Sequence, residues 1–182
     1  MGSGSSGSIA DSDLPSRRQA PSSKHIHERW AVKRILFLCT HNSARSQMAE
    51  GWLRHHAAET GLPLEVCSAG TEKTQVKPEA LTVMREVGID LGDQHSKALG
   101  ELPDPWNFDL VITLCDGANE SCPSYPATTK RLHVGFPDPS GESLERWREV
   151  RDRLGEMSRR LAGALARGEA PTAAGITPTE HD

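Results

Sequence analysis

Aromatic side chains are scarce, at 4% of the residues with Tyr125 the single tyrosine. So few rings leave no platform on which nucleic-acid bases could stack. Basic charge is not in excess either: 21 Lys and Arg stand against 25 Asp and Glu, a formal net charge of −4. The electrostatic footprint of a nucleic-acid binder is therefore missing. No apolar run approaches the ~18 residues that would read as a membrane span, and no internal repeat is apparent. Residues 1–29 are Gly/Ser-rich, then Pro/Ser/Arg-rich, with Leu14 and Ile26 as isolated apolar residues. They lack the apolar stretch of roughly 7–15 residues that marks a secretion signal. They also hold too little apolar surface to offset the entropy of ordering, so a disordered N-terminal segment is expected. A single domain at 30–168 and a flexible tail at 169–182 complete the expected organisation. Cysteine is limited to four residues, and without a secretion signal a cytoplasmic protein with no static disulfides is expected.

What the chain does have is a loop built for an anion. The apolar run Ile35-Leu36-Phe37-Leu38 leads into Cys39-Thr40-His41-Asn42-Ser43-Ala44-Arg45-Ser46. A strand that turns through small polar residues into a helix aims backbone N–H groups at one point, and the helix dipole reinforces them. Arg45 adds a planar fork able to hold two oxygens of a tetrahedral oxyanion. Beside that charge and under a helix N-terminus, Cys39 is favoured as a thiolate nucleophile. The alternative is a buried structural cysteine with an incidental arginine. The coincidence of spacing, Ser46 and strand–helix context favours the functional reading.

A second pair of cysteines closes another apolar strand. Asp109 to Leu114 leads into Cys115, and Cys122 follows across the polar segment Asp116–Ser121, which reads as flexible. In a parallel sheet the end of this strand would lie beside the Cys39 loop, at the edge where open α/β folds bind ligands. Three thiols could then exchange in sequence, provided the backbone brings Cα atoms to about 5.5–6 Å. Two unrelated thiols remain the alternative. A zinc site using Cys115, Cys122 and His133 does not suit the usual knuckle spacing.

The third piece is Asp138, set between Pro137 and Pro139 in a turn-rich segment. Prolines on both sides hold the backbone extended and suit a loop. Oxyanion chemistry needs a proton donor for the leaving oxygen, which an aspartate at the rim could supply. A turn-capping aspartate is the competing reading.

The remaining pattern alternates strand and helix. Strands are expected at Lys33–Leu38, Leu64–Ser68, Asp109–Leu114 and Lys130–Val134. Helices are expected from about Ser46 to Gly61, from Pro78 to Val87, and from Ser143 onward. The last carries Leu144, Trp147, Val150, Leu154, Met157, Leu161 and Leu165 at helical spacing, a core stripe. Cys67, on the second strand, reads as a small core residue. This alternation predicts an α/β fold: a central parallel, flavodoxin-like sheet with helices on both faces.

The run Phe37 to Gly51 resembles the low-molecular-weight protein tyrosine phosphatase superfamily, and most of all its arsenate reductase branch. The resemblance covers roughly Arg34 to Leu161. It implies Cys39 as nucleophile, Arg45 as oxyanion clamp, Asn42 as loop brace, Ser46 as the hydroxyl steadying the thiolate and Asp138 as general acid. His41 stands where many relatives carry glycine, so a positive φ there would strain it somewhat. Leu114-Cys115-x6-Cys122-Pro123 is similar to the redox pair of the thioredoxin-coupled arsenate reductases, implying a Cys39–Cys115 disulfide followed by Cys115–Cys122. Phosphatase relatives follow their Asp-Pro with tyrosine, whereas this chain has Ser140. The implied reaction is reduction of arsenate, with phosphate or sulfate as analogues. Thioredoxin would be the external reductant, with no tightly bound cofactor and no metal. Lys97 lies in the stretch where some relatives that bind potassium carry an acidic residue, which argues against that ion here. A monomer is expected. The competing functions are a tyrosine phosphatase with redox-protective cysteines and, more distantly, a thiol sensor or metalloid-binding module.

Overall fold

The computed structural model describes residues 34–179 together with the first two of the chain. Apart from those first two residues, the expected disordered segment at 1–29 lies outside the described residues, as do residues 30–33. Four strands form one parallel sheet in the order β2-β1-β3-β4: β1 Arg34–Cys39, β2 Glu65–Gly70, β3 Leu110–Thr113 and β4 Lys130–His133. β1 is central, with Leu38 opposite Ala69 on one side and Thr113 on the other. Its side chains are buried from Ile35 onward, as a strand covered on both faces requires.

Strand periodicity of two divides the core. Ile35, Phe37, Val66, Leu110 and Ile112 point to one face, where three helices cover them. These are α1 (Arg45–Thr60), α2 (Pro78–Glu86) and α4 (Leu144–Ala166). Leu36, Leu38, Ala69 and Val111 point to the other face. That face is covered more thinly, by a 3₁₀ turn at Leu99–Glu101, the loop carrying Leu102 and Phe108, and α3 (Asp116–Glu120). Helices thus lie on both faces, but unequally.

The helix ends follow local chemistry. α1 stops at Gly61, whose φ of 66° is the left-handed conformation glycine reaches without steric cost. Ser143 caps α4 by accepting from the N–H of Arg146. α4 packs along α1, and Trp147 is its fully buried anchor. Gly155 admits the ring of Trp52, since a Cβ there would come within 2.8 Å of it.

Three sequence expectations need correction. Leu144, assigned to the core stripe, is 41% exposed because it opens α4 on the solvent side. The segment after Cys115, read as flexible, folds as the short helix α3, with Ala118 fully buried beneath it. Residues 169–179 of the expected flexible tail pack back on α4 through α5 (Ala173–Ile176). Thr172 caps that turn, Ile176 is 1% exposed, and Arg160 Nη1 donates to the Thr177 carbonyl at 3.0 Å. One buried isoleucine and a side-chain cap outweigh the Pro/Gly composition that suggested a loose tail.

Candidate active site

The loop between β1 and α1 has its carbonyl groups tied outward. The carbonyl of Cys39 accepts from Thr71 N, that of Thr40 from Glu72 N and that of Ser43 from Lys77 N. The His41 carbonyl takes the hydroxyl of Ser96 at 3.0 Å. Because each C=O opposes the next N–H across a planar peptide, the following N–H groups turn the other way, into the loop. The N–H of Asn42 shows the result: it donates to Cys39 Sγ at 3.2 Å. No side chain caps the start of α1, and its first turn has no acidic residue. Its N–H groups are therefore uncompeted donors for an anion. Gly70 makes the arrangement possible, since a Cβ there would lie 2.7 Å from the Thr40 carbonyl oxygen and 2.9 Å from Asn42 N.

Cys39 is 3% exposed, with its sulfur 2.8 Å from Ser46 Oγ. Asn42 is the knot of the site. Its Nδ2 donates to Ser46 Oγ at 2.9 Å and to Ser68 Oγ at 2.8 Å. Its Oδ1 accepts from Gln47 Nε2 and from the N–H of Lys97, both at 2.9 Å. The left-handed backbone falls here, at φ 48°, and not at the suspected His41. Asparagine tolerates that region far better than most residues, so the loop closes without a glycine. His41 instead faces outward, 48% exposed and 3.7 Å from Glu72.

Beneath Asn42 lies a polar layer that sequence reasoning did not assign. Glu50 is 1% exposed and bonds the hydroxyl of Ser68. Arg54 approaches the same carboxylate at 2.6 Å and Lys97 Nζ at 3.8 Å. The ammonium of Lys97 thus sits inside the site as a counter-charge. The available signal was weak: Glu50 lies four residues after Ser46, one turn along the same helix face.

Arg45 and Asp138 meet across the mouth. Arg45 Nη1 donates to the Phe136 carbonyl at 2.9 Å and Nη2 to Asp138 Oδ2 at 2.8 Å. Partial burial pushes the Asp138 carboxyl up, but hydrogen bonds from Ser140 and the charges of Arg45 and His41 outweigh it, leaving it below its ordinary value. Beside the mouth runs a cleft of about 740 Å³ whose walls include His41, Thr74, Lys77, Asp138 and Ser140, with no Phe, Tyr or Trp among them.

The later cysteines divide. Cys115 is buried at the end of β3, with its sulfur 3.4 Å from Thr40 Oγ1, on the residue next to Cys39. The N–H of Leu114 donates to the Leu38 carbonyl at 2.8 Å, so the two strand ends lie side by side. Cys122 is partly exposed beyond α3 and packs on the same apolar cluster as Cys39 and Cys115. Burial raises its thiol, and the charge of Arg131 only partly offsets that. All four cysteines are free thiols. Cys67 is half-buried on β2, its thiol also pushed up by burial. His133 bonds Thr113 Oγ1 at 2.9 Å and lies 3.2 Å from Asp116, bracing α3 against β4.

Residues 34–170 match the family described as low molecular weight phosphotyrosine protein phosphatase. An arsenate reductase of Bacillus licheniformis is 45% identical over 139 residues, spanning 71% of this chain and 95% of its own length. A solved arsenate reductase in a phosphate-binding state superposes with TM-score 0.62 at 34% identity, covering 73% of this chain and 98% of its own. A low-molecular-weight tyrosine phosphatase from T. tengcongensis superposes with TM-score 0.64 at 28% identity, covering 73% and 99%. The Cys39 loop, Arg45 and Asp138 lie within the matched span, and the chain belongs to the low-molecular-weight phosphotyrosine protein phosphatase family.

Proposed function

We propose that this chain reduces arsenate to arsenite. The observation that carries the reading is the second thiol, Cys115, held by Thr40 at the rim of the Cys39 loop. A hydrolytic phosphatase needs one thiol there; a reductase needs a second within reach.

Arsenate enters the loop and takes over Arg45, whose fork matches two of its oxygens. That releases Asp138 from its ion pair and sets negative charge beside it, both of which favour its protonated form. Cys39 thiolate attacks arsenic, an arsenic–oxygen bond breaks, and Asp138 gives its proton to the departing oxygen, which leaves as water. Cys115 thiolate then attacks Cys39 Sγ. The sulfur–arsenic bond breaks with its electron pair going to arsenic, so As(V) becomes As(III) as a Cys39–Cys115 disulfide forms. Cys122 attacks Cys115, freeing Cys39 and leaving a Cys115–Cys122 disulfide. Thioredoxin, as an external dithiol, reduces that bond and is itself oxidised. Such a cycle requires a reducing compartment, which supports the cytoplasm. No step draws on a tightly bound cofactor or on a second copy of the chain.

The intervening α3 must open for Cys122 to reach Cys115. Its five residues, two of them Gly117 and Asn119, carry little helical stability of their own. A tyrosine phosphatase is the second reading, since phosphate would fill the same loop. The cleft beside the mouth lacks a Phe, Tyr or Trp wall to hold a phosphotyrosyl group, which disfavours it. The deciding experiment measures arsenite formed with thioredoxin, thioredoxin reductase and NADPH, against the same mixture without thioredoxin. Multiple turnover only in the complete mixture is expected, and none in either would reject the reading.

A further inference from the structure

Well away from the loop, three metal-competent side chains gather near the C-terminal end of α1. His55, His56 and Glu59 offer ligand atoms that all lie within 4.8 Å of one another. Their spacing explains it: Glu59 stands four residues after His55 and three after His56, so one carboxylate faces both rings. Its Oε1 is 3.4 Å from His55 Nε2 and its Oε2 is 3.0 Å from His56 Nδ1. Two imidazole nitrogens are thereby turned toward one small volume.

His56 is firmly held. Its side chain is 14% exposed, and its ring stacks on Trp52 with centroids 5.4 Å and planes 14° apart. Trp52 is tied to α4 by Nε1 donation to the Arg151 carbonyl at 3.0 Å, seated against Gly155. One ligand is therefore fixed through two packed helices, while His55 and Glu59 are open to solvent. Arg54, the adjacent cation, is turned away onto Glu50 and the Val66 carbonyl, so it does not confront the cluster.

We propose that His55, His56 and Glu59 form a binding site for a divalent transition-metal ion of the imidazole-preferring class, such as Ni²⁺, Cu²⁺ or Zn²⁺. Two imidazoles and a carboxylate are a ligand set these ions take, with water completing the sphere. Harder ions such as Mg²⁺ or Ca²⁺ would call for oxygen ligands instead. Metal–nitrogen bonds of about 2.0–2.1 Å bring ligand atoms roughly 3–4 Å apart. The two exposed side chains reach that by small rotations while His56 stays on Trp52. In the bound state each imidazole turns a lone pair toward the ion and carries its N–H on the other ring nitrogen. The site lies about 15 Å along α1 from Arg45, at 1.5 Å per residue. It would pin the last turn of the helix whose first turn completes the oxyanion loop, and it takes no part in the thiol chemistry.

The test is a Ni²⁺ titration of the full chain, kept reduced, read by tryptophan emission and equilibrium dialysis. A Ni²⁺ ion on His56 lies against Trp52 and quenches it. Glu59→Gln leaves the Trp52 stack intact and is the cleanest variant; His55→Ala and His56→Ala complete the set. His25 and His27 could hold nickel by themselves, so a His25→Ala/His27→Ala variant serves as control. The expected result is one saturable quenching phase in wild type and in the control, weakened at least tenfold in Glu59→Gln and in His55→Ala. Added Ni²⁺ should also raise the melting temperature of wild type and leave that of His55→Ala unchanged, with both folded alike by circular dichroism. Quenching that persists unaltered in Glu59→Gln and His55→Ala, or that disappears in the control, overturns the site. So does the absence of saturable binding.

Discussion

Replacing Asn42 by alanine is the sharpest single perturbation of the loop. The side chain makes four hydrogen bonds in a setting where Asn42, Ser46, Ser68 and Gln47 are all 0% exposed. Each is worth about 1 kcal/mol net, and buried partners left unpaired add to the loss. Alanine must also adopt the left-handed backbone at φ 48°, at a further cost of about 1–2 kcal/mol. Partial re-pairing by water in the vacated space offsets some of this. The sum is about 3–5 kcal/mol, or roughly 10–15 °C of melting temperature for a domain of this size. Thermal and urea denaturation, with activity measured well below either transition, are the assays. The expected result is that fall in stability together with at least a hundredfold loss in kcat/KM, because the side chain that fixes Ser46 and the loop backbone is gone, so that Ser46 Oγ and the backbone N–H at position 42 no longer hold Cys39 Sγ in register. Asn42→Gly relieves the backbone but not the hydrogen bonds, and should recover only the backbone share of the stability. A variant that melts within about 2 °C of wild type would refute the knot described for this residue.

Asp138→Asn should slow the chemical step by about 10²–10⁴-fold, as loss of a general acid does, while phosphate still binds the loop by isothermal titration. Because hydrogen bonds from Ser140 and then the charge of Arg45 hold the Asp138 carboxyl below its ordinary value of 3.8 in the folded chain, these contacts contribute stability above that pH which is lost as pH falls further. Asp138→Asn should therefore melt with a shallower decline than wild type on acidification below about pH 4. Lys97→Met should lower stability by about 1–2 kcal/mol in urea, less than the ~3–5 kcal/mol of a fully orphaned buried charge, because Arg54 still reaches Glu50. Lys97→Arg should recover part of that loss. Trp147→Ala should cost about 3–5 kcal/mol, since the indole is fully buried between α4 and the sheet; a cost under 1 kcal/mol would contradict that packing.

The four strands and three long helices were legible because each carries a strong period or a defined stop. β1 and β3 are apolar runs, and Gly61 and Ser143 mark helix ends. Cys39 and Arg45 stood out as candidates because one short strand–loop–helix carries them, whereas Asn42, Ser46 and Asp138 stood out through the family resemblance. Glu50, Ser68 and Lys97 did not stand out, because their meeting depends on how α1, β2 and the 95–98 segment come together in space, which no local pattern encodes. Asn42 took the positive φ attributed to His41 because its amide, unlike the imidazole, has four inward partners. The segment after Cys115 looked like a loop by composition; Ala118 buried under it makes it a helix. Leu144 fitted the stripe by spacing, yet a helix's first residue can point past the edge of the core.

The central claim is that Cys39, Cys115 and Cys122 act in sequence, and disulfide mapping by mass spectrometry after a single arsenate turnover, without reductant, tests it most directly. Wild type should show Cys115 joined to Cys122 with Cys39 free. Cys122→Ser should release one arsenite and stop as a Cys39–Cys115 disulfide, and Cys115→Ser should release none, while both still hydrolyse a small aryl phosphate through Cys39, Arg45 and Asp138. Cys39 joined to Cys67, or repeated turnover in Cys122→Ser, would contradict the account.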